Sequence, residues 1–185
     1  MQLSLALLLP LLMNACMGAG VTEKPLTAEE MPVVFAPQEV MDGEPKYERV
    51  YDDRTGADIR RMTTTVRRAA AVAVYQSLPG DYVFSGATLR ASLERMVSPD
   101  AQVVWGDSGS LTRVAVATDW QAFELTVDGA HIGCMGVRRE LRHHAEAGNM
   151  PNSAQALAVA YLCRQGPPMT GNDAVRVAAV LRERV

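Results

Sequence analysis

The alternation of apolar and polar positions is most regular between residues 82 and 117. Tyr82-Val83-Phe84 predicts a short strand, and Ser85 after it is a good helix N-cap. Phe84 and Leu89 occupy the two positions of a hydrophobic staple. Leu89, Leu93, Met96 and Val97 then recur at helical spacing, with Arg90, Glu94 and Arg95 outside that stripe. Ser98-Pro99-Asp100 stops the helix, because the residue before proline is pushed out of the helical region. Ala101 to Trp105 predicts a strand, residues 106–110 a turn, and Leu111 to Ala117 a second strand. The order is β-α-β-β, a small sheet with one covering helix.

Two readings are open for residues 119–134. Thr118 and Gln121 stand in capping-box positions and would start a helix. Phe123 to Val127 alternates, however, and Asp128-Gly129 is a strong hairpin signal, so a hairpin returning through Ala130 to Cys134 is favoured. The C-terminal region, 137–185, predicts helices over Val137 to Ala147, over Ala154 to Cys163 and from Asn172 or Asp173 onward. Upstream, the alanine run after Val66-Arg67-Arg68 favours a helix ending near Ser77, although the preceding threonines favour strand. Residues 16–60 show no sustained period. Pro25, Pro32, Pro37 and Pro45 interrupt them among many acids, which predicts an extended tether. Its apolar patch Val33-Val34-Phe35 is a candidate partner-binding motif, and a plain spacer is the alternative.

The first twelve residues are mostly Leu and Ala, and they run into Leu12-Met13-Asn14-Ala15-Cys16. An apolar run of about a dozen residues is short of the roughly 20 that span a bilayer. It has the length of a secretory signal core. A small residue directly followed by cysteine resembles the lipobox of bacterial lipoproteins. The resemblance implies cleavage after residue 15 and lipid attachment at Cys16. Met17-Gly18 follow, with no Asp in the second mature position, which in that family implies transfer to the outer membrane. An ordinary secretory signal, cut after Ala15 or Gly18, is the alternative.

The net charge of -3 argues against general binding to nucleic acid. With Cys16 lipidated, Cys134 and Cys163 remain as a pair, and an oxidising periplasm favours a disulfide between them. Two buried free thiols are the alternative. No phosphate loop, dinucleotide fingerprint or nucleophile elbow occurs. His143 and His144 are adjacent and would point to different sides of a helix, so neither a metal site nor any other cofactor is expected. His131 reads as a strand residue on a solvated face. Trp120, next to a turn, is a second candidate for partner binding, whereas Trp105 reads as core.

The segment Val83 to Arg95, with Gly86-Ala87-Thr88-Leu89-Arg90, is similar to the first helix of the short domain at the N-terminus of secretins and TonB-dependent receptors. Val103-Val104-Trp105 after it resembles the C-terminal domain of TcpQ-type pilus-biogenesis proteins. The resemblance covers Tyr82 to Phe123 and implies a non-catalytic adaptor packed in envelope-spanning rings. The expectation is an α+β protein in four parts: signal peptide 1–15, lipidated tether 16–60, α+β domain 61–136 and helical extension 137–185. Its expected role is that of a lipid-anchored structural adaptor, not an enzyme, on the periplasmic face of the outer membrane. Its expected partners are ring-forming subunits of a secretion, conjugation or pilus complex, with no nucleic acid. A periplasmic lipoprotein binding a small ligand or peptidoglycan is the alternative.

Overall fold

The computed structural model describes residues 21–52, 56–66, 68–77, 88–112, 118–127, 129–141 and 156–184. Its centre is an eight-stranded sheet, antiparallel throughout. The strands are β1 (Val21–Pro25), β3 (Lys46–Asp52), β4 (Ala57–Val66), β5 (Ala69–Ser77), β6 (Gln102–Leu111), β7 (Thr118–Val127), β8 (Ala130–Leu141) and β9 (Ala156–Gln165). Their spatial order is β1-β3-β4-β5-β9-β8-β7-β6. Two meanders, β3-β4-β5 and β6-β7-β8-β9, are therefore sealed together by the β5–β9 pairing. Helix α1 (Leu89–Met96) covers one face. Helix α2 (Gly171–Val180) covers the other, together with a small ribbon of β2 (Val33–Phe35) and β10 (Leu181–Glu183).

The two faces are filled differently. On the α2 face, β5 presents Ala69, Ala71 and Ala73, and β9 presents Ala156, Ala158 and Ala160. These short side chains leave room for α2 to lay Ala174, Val177 and Ala178 close to the backbone, and for Met31, Val33, Phe35 and Val40 to fill the rest. On the α1 face, one short helix has to close the gap, and bulkier groups take the volume: Leu157, Val159, Tyr161 and Phe123 beneath Leu89 and Leu93. Burial pushes the Tyr161 hydroxyl up to about 12.

The expected small α+β sheet is therefore overturned in favour of a mostly β architecture. The stretch read as a helix ending near Ser77 is the hairpin β4–β5, and the stretch read as a helix over Ala154 to Cys163 is β9 from Ala156. In β5 and β9 the apolar residues run on without a break and are buried on two faces, where neither strand nor helix period is visible. The tether also folds from Val21 onward. It supplies two strands of the large sheet's N-terminal edge and the ribbon strand β2, and Met31 is fully buried. The expected hairpin forms: Val127 pairs with Ala130, and Gly129 has φ 77°, a conformation that glycine adopts without strain. The helix α1 forms as well, but Thr88 is its N-cap, its side chain accepting from the Ala91 amide. The final helix forms as α2, where the Thr170 amide donates to Asp173 Oδ2 at 2.9 Å. The leader with Cys16, the strand at Tyr82, Ser85, and His143-His144 lie outside the described residues.

Candidate functional site

Cys134 and Cys163 are direct partners on β8 and β9, with Cα atoms 4.1 Å apart, and are joined as a disulfide. Both are buried under α1. Phe123 stands opposite Cys134, and Trp105 opposite Phe123, so one cross-strand row runs Trp105, Phe123, Cys134, Cys163. The Trp105 and Phe123 rings lie 5.3 Å apart, and Arg90 of α1 reaches over the indole at 5.0 Å. With both sulfurs in the bridge, neither serves as a nucleophile or a metal ligand. Among the described residues no group of three metal-ligating side chains converges. His131 is exposed, its Nδ1 3.5 Å from Thr126 Oγ1.

The proposed partner-binding residues separate. Val33 and Phe35 are buried, since alternate side chains of β2 turn onto the sheet's own alanine face. Only Val34 remains at the surface. The expectation that all three are offered to a partner is corrected: the patch covers its own core. Trp120 is partly buried: it packs against the core and also lines the groove beside the first turn of α1. Gly109, its direct partner on β6, would carry a Cβ 2.9 Å from the indole Nε1, and Gly171 at the start of α2 would carry one 3.4 Å from Cη2. Glycine at both places lets the indole lodge between β6 and α2.

The surface feature with the most open chemistry is the edge strand β6. Trp105 pairs with Phe123 and Ser108 with Gln121, so Gly106 and Asp107 face the single residue Ala122. This is a β-bulge, which bends an edge strand and frees backbone groups. Gln121 satisfies them: its Nε2 donates to Gly106 O at 2.8 Å and Ala122 O at 2.9 Å, with Asp107 O at 3.2 Å. On one side of the bulge, Gln102 to Trp105 is a regular, uncharged strand, and Val104 is 62% exposed. On the other side, a groove of about 590 Å³ opens beside the first turn of α1, lined by Thr88, Arg90, Ser108, Ser110, Asp119 and Arg138 among others. Ser110 Oγ donates to Asp119 Oδ1 at 2.7 Å, and Arg138 pairs with Glu140 at 3.0 Å. The arrangement presents a strand edge beside an amphoteric trough, suited to an extended polypeptide. A glycine inside a strand signals a bulge, so Gly106-Asp107 carried a legible signal; read as a turn, it hid the edge.

No protein-family model, curated protein or solved structure matches the chain.

Proposed function

We propose that the chain is a lipid-anchored outer-membrane protein whose β domain, on the periplasmic side, is a structural adaptor in a multi-subunit envelope complex. The observation that carries this reading is the placement of the two sheet edges. Cys16 precedes Val21, the first residue of edge strand β1, by five residues, a reach of at most about 18 Å. The other edge, β6, lies across the whole width of the sheet, about 33 Å away at roughly 4.8 Å per strand spacing. One edge is held at the anchor and the other is offered outward. A neighbour's strand can extend such an edge through main-chain hydrogen bonds, with side-chain pockets adding selectivity. The buried disulfide supports an oxidising compartment.

The test places a photo-crosslinking residue at Val104 in the native host. Gentle detergent extraction, gel filtration and mass spectrometry follow. The expected result is a large particle and a crosslink to another envelope protein; with the probe moved to Gln102, Val104→Lys loses both. A lone monomer near 20.0 kDa with no crosslink would sink the adaptor reading. The groove beside α1 favours a second reading, a periplasmic lipoprotein that binds a small ligand or peptidoglycan. A monomer that retains peptidoglycan fragments, and releases them on Ser108→Arg, would support it.

A further inference from the structure

The anchored edge of the sheet carries a cluster that the adaptor role leaves unused. On β1 and β3, Thr22 stands directly opposite Tyr51, and Lys24 directly opposite Arg49. All four line one shallow concavity of about 260 Å³. Like charges directly opposite on neighbouring strands repel; Asp58 offsets the charge of Arg49, and the ammonium of Lys24 is left open to an anion. The carboxylates nearby are already engaged. Asp58 takes Arg49 at 2.8 Å and Arg60 at 2.7 Å, and Glu30 accepts from the Thr27 amide at 2.8 Å. Lys24 is exposed and has no ion-pair partner among the described residues. Tyr51 is 38% exposed, and Arg49 lies over its ring at 6.0 Å.

We infer that this face of the β1–β3 edge docks on the membrane surface and takes the phosphate of an anionic phospholipid headgroup between Lys24 and Arg49. The inference rests on the lipid-anchor reading, and two observations choose the occupant. The chain between Cys16 and β1 is at most about 18 Å, which keeps the cluster within reach of the headgroups. The composition of the cluster also matches that boundary. Tyrosine, with an apolar body and a polar tip, favours the membrane interface. Lysine and arginine are drawn to anionic leaflets. The hydroxyls of Thr22 and Tyr51 supply further donors to phosphate oxygens. Docking through this face would fix how the sheet stands on the bilayer, which a single lipid attachment point leaves free to swivel.

The test uses the full lipidated protein in vesicles of phosphatidylcholine, alone or mixed with phosphatidylglycerol. Hydrogen exchange is followed by mass spectrometry, and the same spectra report whether Cys16 carries lipid. The expected result is slower exchange over residues 21–25 and 46–52 in the anionic vesicles, with residues 130–141 unchanged. Each cation near an anionic surface shifts the docked population about fivefold, so Lys24→Glu, a change of two charges, lowers it by about 25-fold. Equal exchange in the two vesicle types, with Cys16 lipidated, would overturn the inference and leave the anchor intact. Absence of lipid on Cys16 would overturn both. Equal protection by inorganic phosphate without phosphatidylglycerol would assign the site to a soluble anion and overturn the lipid assignment.

Discussion

Replacing Gly136 by alanine puts a methyl group where the chain has left space for another residue. Gly136 lies on β8 beneath α1, and a Cβ there would stand 2.5 Å from Leu93 Cδ1 and 2.8 Å from Cδ2. Leu93 is fully buried, so its side chain has little freedom to swing aside. Two terms oppose each other. Glycine inside a strand costs roughly 0.5–1 kcal/mol relative to alanine, so the substitution gains that much from the backbone. Forcing an extra carbon into a filled core costs typically 1–3 kcal/mol. At the middle of these ranges the overpacking wins, and Gly136→Ala is expected to lose about 1 kcal/mol, up to about 2.5. Leu93→Ala alone should lose about 2–5 kcal/mol, the usual range for emptying a buried leucine site. In the double variant the new methyl occupies part of the vacated volume, so the double should be at least about 1 kcal/mol more stable than the two single losses added together. Urea unfolding with the disulfide intact measures all four proteins. Losses that add to within about 0.5 kcal/mol would refute the direct contact between α1 and β8, because independent sites behave that way. A clearly stabilising Gly136→Ala would refute it as well.

Converting both Cys134 and Cys163 to alanine opens a loop spanning 29 residues and should cost about 3–4 kcal/mol in urea unfolding by the chain-entropy relation. Asp58 gives a pH signature. Burial works to raise its carboxyl, but the hydrogen bonds from Arg60 and Arg49 outweigh burial and hold it below the usual range. Its stabilisation is therefore full above the unfolded value of about 3.9 and is lost as pH falls through the lower folded value. Thermal unfolding should show this acid limb in the wild type, and Asp58→Asn should flatten it while lowering stability near neutral pH by about 1–3 kcal/mol. Thr88→Ala removes the cap on the Ala91 amide and should cost about 1 kcal/mol in urea unfolding.

The sequence displays some of these features locally and conceals others. Asp128-Gly129 states its hairpin in two residues, and the α1 stripe of Leu89 and Leu93 states its buried face. The alanine run of β5 and the Ala156–Cys163 run of β9 say helix on propensity alone. They become strands because each is the other's neighbour, a pairing across about half of the chain that no local window contains. The N-terminal segment misleads for another reason. Its prolines and acids give it the composition of a linker, but Met31, Val33, Phe35 and Val40 are enough to pin it, because the alanine face beneath them leaves a shallow bed to fill. The disulfide was legible by counting cysteines, and its place in a row with Trp105 and Phe123 was not, since register is set by hairpins that had first to be identified.

The late closure between β5 and β9 has a kinetic consequence. These strands meet only after α1, β6, β7 and β8 have been made, so the β3-β4-β5 meander has to wait with its β5 edge bare. Contacts of such long range slow folding and leave an intermediate prone to sticking to its own kind. Oxidation of Cys134 with Cys163 acts at that stage. The bond holds β9 against β8 in the register in which β5 pairs with it, so an oxidised chain has one less strand alignment to find. If the bond forms slowly, the bare edge persists longer, and refolding of the reduced protein should lose more material to aggregation than refolding of the oxidised protein.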